Sequence, residues 1–97
     1  MVVGVCRLEL RLAENRSLKG KRQVVRSVTT RLRNRFNLAV AEVEDNELWT
    51  TAVLGLVSIS NDGGHAREML EKACQFVESL RLDAEVTDRY IEVVYLT

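Results

Sequence analysis

The sequence predicts an α+β sandwich in the order β-α-β-β-α-β, a four-stranded antiparallel sheet with two helices on one face. Three observations carry this. The opening segment alternates with a period of two. Two segments, 18–36 and 65–80, repeat their apolar residues at helical spacing. Between and after them lie β-branched stretches bounded by polar turns. The 97 residues fit one domain spanning 1–97, a size at which a core can form without staples.

In VVGVCRLELRL (2–12), Cys6, Leu8, Leu10 and Leu12 alternate with Arg7, Glu9 and Arg11, the pattern of a half-buried strand. AENRS follows as a polar turn, and Ser17 is placed to cap the next segment. There Leu18, Val24, Val25, Val28, Leu32 and Phe36 fill one arc of a helix that ends near Asn37. LAVAEVED (38–45) reads as a second strand and NELW as a turn. TTAVLGLVSIS (50–60) is apolar on both sides, as in a strand covered on both faces, at least in part. Asn61 to Gly64 form a loop and cap. In HAREMLEKACQFVESL (65–80), Ala66, Met69, Leu70, Ala73, Cys74, Phe76, Val77 and Leu80 face inward. AEVTDRYIEVVYL (84–96) is the last strand. This order is that of the ferredoxin-like fold, which hosts many activities, so function must be read from sites.

Composition narrows the classes. Hydrophobic residues are 46% and charged residues 29% of the chain, as in globular domains. No apolar run approaches the ~20 residues of a membrane span, and MVVGVCRLEL has no signal-peptide pattern, so a cytoplasmic protein is expected. Cys6 and Cys74 match no redox or zinc spacing; both fall on inward faces and read as inert core thiols, a disulfide across the core being the alternative. His65 has no partner for a zinc site or a catalytic triad. No metal, cofactor or catalytic residue is expected.

The net charge is zero, with 14 basic and 14 acidic side chains, but the signs are segregated. Between Glu14 and Glu42 there is no acid, and residues 16–35 hold eight Lys or Arg. Lys19, Arg22, Arg26 and Arg33 fall within an arc of about 60° on a helical wheel. A helix built only for solubility interleaves Glu with Lys. Cations at Lys19, Lys21 and Arg22 also oppose the helix dipole, and an anion near Ser17 to Arg22, with close approach over Gly20, would remove that conflict. Arg16, Ser17, Lys19, Lys21, Arg22, Arg26 and Arg33 are therefore the candidate phosphate contacts. The competing view is a solvated face whose charges pair with Glu42, Glu44, Asp45 or Glu47.

The central strands carry no aromatic base platform and no Lys/Arg-Gly-Phe motif, so backbone contacts rather than base readout are expected. Trp49 reads as a core or edge plug, with stacking on a partner as the alternative. An acylphosphatase-like enzyme would place an Arg such as Arg16 after the first strand, yet the Val-Gln-Gly run of that family is missing. Two helices cover only one sheet face. Val53, Val57 and Ile59, extended by Ile91, Val93 and Tyr95, are thus expected to form an exposed apolar surface that dimerises or docks a partner.

VVGVCRLEL, SLKGKR, RLRNRFN, AEVEDNELWTTA and SND together span nearly the whole chain and resemble the YlxP-like family of small bacterial proteins of unknown function. The resemblance implies a ferredoxin-like fold and, because such genes often lie among those for translation initiation and ribosome maturation factors and some members are described as ribosome-binding-factor-like, a connection to ribosomal RNA or the ribosome. It brings no catalytic residues.

Overall fold

The computed structural model describes residues 1–45, 47–80 and 83–97. Its elements are β1 (Val2–Arg11), α1 (Leu18–Arg35), β2 (Ala39–Glu44), β3 (Thr51–Ser60), α2 (Gly63–Ser79) and β4 (Glu85–Tyr95). The order is the expected one, and the sheet runs β2-β3-β1-β4 with every neighbouring pair antiparallel. This is the ferredoxin-like α+β architecture.

Period two in β1 sets the layers. Cys6, Leu8 and Leu10 stand opposite Leu56, Leu54 and Ala52 of β3, and all six are buried. Val28 and Leu32 of α1 close the same core with Leu70, Ala73, Cys74 and Val77 of α2. Both helices therefore lie on one face. At Gly4 the sheet meets α2 so closely that a Cβ would come within 2.8 Å of Leu70 Cδ1.

α2 starts two residues earlier than its apolar pattern, because Asp62 is the cap and its carboxylate accepts from Gly64 N–H at 2.9 Å. α1 stops at Arg35: Phe36 turns extended, its N–H still bonded to Leu32 O at 2.9 Å. The Phe36 ring then packs edge-on against Phe76, at 5.7 Å between centroids.

β4 is where the expected faces are corrected. Its register on β1 shifts between Glu9 and Leu10. Val86 pairs with Leu10 and Ile91 with Cys6, so the inward set changes from even to odd positions across the bulge. Ile91 and Val93 therefore face the helices, not the open side. The open face of β4 carries Tyr90, Glu92 and Val94 instead, opposite Arg7, Val5 and Val3. Among the described residues no helix is long and apolar enough to cross a membrane.

Candidate nucleic-acid interface

Ser17 caps α1 as the sequence requires, with extended backbone and Oγ accepting from Gly20 N–H at 3.0 Å. From that start the helical period brings Lys19, Arg22 and Arg26 onto one exposed surface, where they line a shallow groove with Gln23. Arg16 is exposed just before the cap. Among the described residues none of these four cations forms an ion pair; the ion pairs among those residues are Arg7–Glu44, Lys21–Glu42, Lys72–Glu68 and Arg89–Glu78. Of the acids expected to neutralise the helix, Glu42 does so for Lys21, as the competing view required, while Glu44 holds Arg7 of β1 instead. Arg33 stays exposed, but its Nη2 donates to Val40 O at 2.6 Å and ties the end of α1 to β2.

Lys21 is the principal correction. It is 1% exposed and lies in the core layer. Its Nζ is 2.9 Å from Glu42 Oε2, and it donates to Leu48 O at 2.7 Å and to Asp45 O. The sequence held the signal: 21, 25, 28 and 32 are one helical stripe, so Lys21 belongs with Val25, Val28 and Leu32. Glu42, two residues after buried Val40, is the acid on the inward side of β2, opposite buried Leu54. The dipole conflict at Lys21 is thus relieved from inside the fold, by a carboxylate and two carbonyls.

Gly20 also has a role other than the expected one. A Cβ there would collide with Asn15 Oδ1, so the glycine makes room for Asn15 rather than for an anion. The Asn15 amide donates to Ser17 O at 2.7 Å and to Trp49 O at 2.6 Å. Lys21 and Asn15 together grip the turn between β2 and β3 through its backbone carbonyls. Asp45 adopts the left-handed region there (φ 58), a conformation that Asp tolerates better than most residues. Because the turn is held by its backbone, its side chains stay outside: Leu48 is 51% and Trp49 52% exposed. Trp49 is therefore not a core plug.

The open sheet face is partly apolar. Ile59 is 70% exposed, with Val57 and Val5 paired beside it and Val94 across from Val3. Val53 belongs to the same side but is fully buried, so it offers nothing to a partner. Cys6 and Cys74 are free, buried thiols 3.5 Å apart. His65 is exposed in the first turn of α2. Among the described residues no group of three or more His, Cys, Asp or Glu could hold a metal ion.

The fold and this surface define a small ferredoxin-like domain with a cationic helix. The family model described as "Protein of unknown function (DUF503)" matches residues 3–91, and the chain belongs to that family. It is similar to the uncharacterized protein YlxP of Bacillus subtilis (strain 168), with 26% identity over 78 residues that cover 80% of this chain and 85% of the relative. Among solved structures, a REP-associated tyrosine transposase bound to a REP hairpin aligns with 98% of this chain at a TM-score of 0.42 and 12% identity. The chain spans 57% of that protein's length.

Proposed function

We propose that this is a non-catalytic cytoplasmic protein that binds RNA, ribosomal RNA first among the candidates, by holding phosphates on the cationic surface of α1. Arg16, Lys19, Arg22 and Arg26 make the contacts, and Arg33 adds one at the far end with the N–H groups it does not give to Val40. Lys21 takes no part. The observation that carries the reading is the lack, among the described residues, of an ion pair on Arg16, Lys19, Arg22 or Arg26, on a helix with no acid of its own. Such a surface attracts a polyanion whatever the net charge of the chain.

Titration against ribosomal RNA fragments at several salt concentrations tests this. The log–log slope should be about −0.7 per phosphate contact for a single strand. The triple variant Lys19→Ala, Arg22→Ala, Arg26→Ala should bind more weakly and with a slope shallower by about 2. No binding at low salt, or unchanged affinity in the triple variant, overturns the reading.

The apolar part of the open sheet face favours a second reading, a homodimer or protein contact centred on Ile59 and Val57. Sedimentation of the wild type and of Ile59→Glu separates it: a dimer that Ile59→Glu dissolves supports it, and a wild-type monomer that recovers no protein partner after ribonuclease treatment opposes it.

A further inference from the structure

In the turn between β2 and β3 the described backbone carbonyls are bonded from outside the turn and the ring of Trp49 is exposed. Lys21 donates to Asp45 O and Leu48 O, Asn15 to Trp49 O, and Leu12 N–H to Thr50 O at 2.8 Å. Four carbonyls of one turn are thus fixed from α1 and the segment before it. On this support sits the chain's single Trp, more than half exposed. Burying such a ring removes a large apolar surface from water, so its exposure on a pinned turn calls for a ligand.

Position bears on the chemistry of such a ligand. The Asn15 amide bridges Trp49 O and Ser17 O, at 2.6 and 2.7 Å. The turn therefore abuts the stretch that carries Arg16 and Lys19, the near end of the cationic surface. A polynucleotide presents both features as neighbours, phosphate charge and a flat aromatic face. In a duplex those faces are stacked on each other; in a single strand they are free. The sheet offers no alternative platform on its central strands, whose open-face residues are Val3, Val5, Arg7 and Glu9 of β1 and Val53, Gly55, Val57 and Ile59 of β3.

We propose that Trp49 stacks on an unpaired base while Arg16, Lys19, Arg22 and Arg26 hold the adjoining phosphates, so that the chain selects single-stranded over double-stranded RNA. This rests on the phosphate-binding reading above and adds the strand state and the base contact to it.

The probes are a short mixed-sequence RNA oligonucleotide and its blunt duplex, titrated into the full chain at low salt. Trp49 is the only Trp, so fluorescence excited at the red edge, where the two tyrosines do not absorb, reports the contact directly. The single strand should quench it and the duplex should not. Trp49→Ala should weaken single-strand binding about tenfold with the salt slope unchanged, leave duplex binding as it was, and Trp49→Phe should restore most of the loss. Circular dichroism and urea melts matching wild type confirm that the variants fold. If Trp49→Ala binds the single strand as tightly as wild type while the Lys19, Arg22, Arg26 triple variant is weakened, the stacking inference fails and phosphate binding stands. If the wild type binds neither probe, both fail.

Discussion

Lys21 Nζ lies 2.9 Å from Glu42 Oε2, with the two side chains 1% and 17% exposed. This ion pair joins the first turn of α1 to β2 beneath the turn that carries Trp49. Glu42 Oε2 makes no aligned hydrogen bond among the described residues, so its stability rests on the charge of Lys21. Removing one partner of a buried pair strands the other charge, whereas replacing both by apolar groups is often neutral.

Lys21→Met should therefore destabilise the protein by about 3 kcal/mol, a large share of the ~5–15 kcal/mol of a small domain. Lys21→Met combined with Glu42→Leu should recover much of that loss. Urea unfolding of the two single variants and the double variant forms the cycle that measures the coupling. Additive losses would show that the pair is not coupled. At a temperature where Lys21→Met is folded, the salt slope of RNA binding should not change, because Lys21 faces the core and contacts no phosphate, while any loss of affinity should be confined to the single strand that Trp49 stacks on.

How far the sequence disclosed this molecule depends on which residues are asked. Alternation in β1 and the 28-to-32 stripe in α1 were readable because a single periodicity governs each. Lys21 was misread because its chemical type, a cation among cations, outweighed its place on the apolar stripe. Ile91 and Val93 were misplaced because one extra residue in β4 inverts the parity of a strand, and a bulge leaves no mark in hydrophobicity. Trp49 was misread because the bonds that pin its turn come from Asn15 and Lys21, far away in sequence. The exposed cations Lys19, Arg22 and Arg26 were readable because they needed only the helical period.

Asn15 is the smaller clamp on that turn, and its loss should be felt locally. Asn15→Ala removes the donor to Trp49 O and Ser17 O and should cost about 1–2 kcal/mol, the usual range for hydrogen bonds of this kind. It should also lower the steady-state fluorescence anisotropy of Trp49, since the ring then rides on a looser support. An unchanged anisotropy would show that Lys21 and the Leu12 N–H hold the turn without Asn15.

Two glycines separate a core contact from a surface one. A Cβ on Gly4 would sit 2.8 Å from Leu70 Cδ1 and 2.9 Å from Ser58 Oγ, both inside the packed layer between sheet and α2. Gly4→Ala should cost about 1–3 kcal/mol, because neither neighbour has space to move into. A Cβ on Gly55 would come equally close to Val43 Cγ1, at 2.9 Å, but Val43 is 53% exposed and free to shift. Gly55→Ala should stay within about 0.5 kcal/mol of wild type. Thermal melts of the two variants side by side check the contrast, and equal losses would contradict it.

Cys6 and Cys74 give the fold a dependence on alkaline pH. Their sulfurs are 3.5 Å apart in the core. The hydrogen bond with Cys74, and then burial, push the Cys6 thiol far above its ordinary value of 9.0. In the unfolded chain the same thiol ionises near that ordinary value. The native state therefore holds a proton that the unfolded state releases. This contribution is fully present below pH 9.0 and is lost as the pH rises beyond it, by up to about 1.4 kcal/mol per pH unit. Urea midpoints taken on both sides of pH 9.0 should fall more steeply for wild type than for Cys6→Ala, and parallel curves would refute the assignment. A maleimide should label the native protein only at the rate at which it opens, since both thiols are buried in the core.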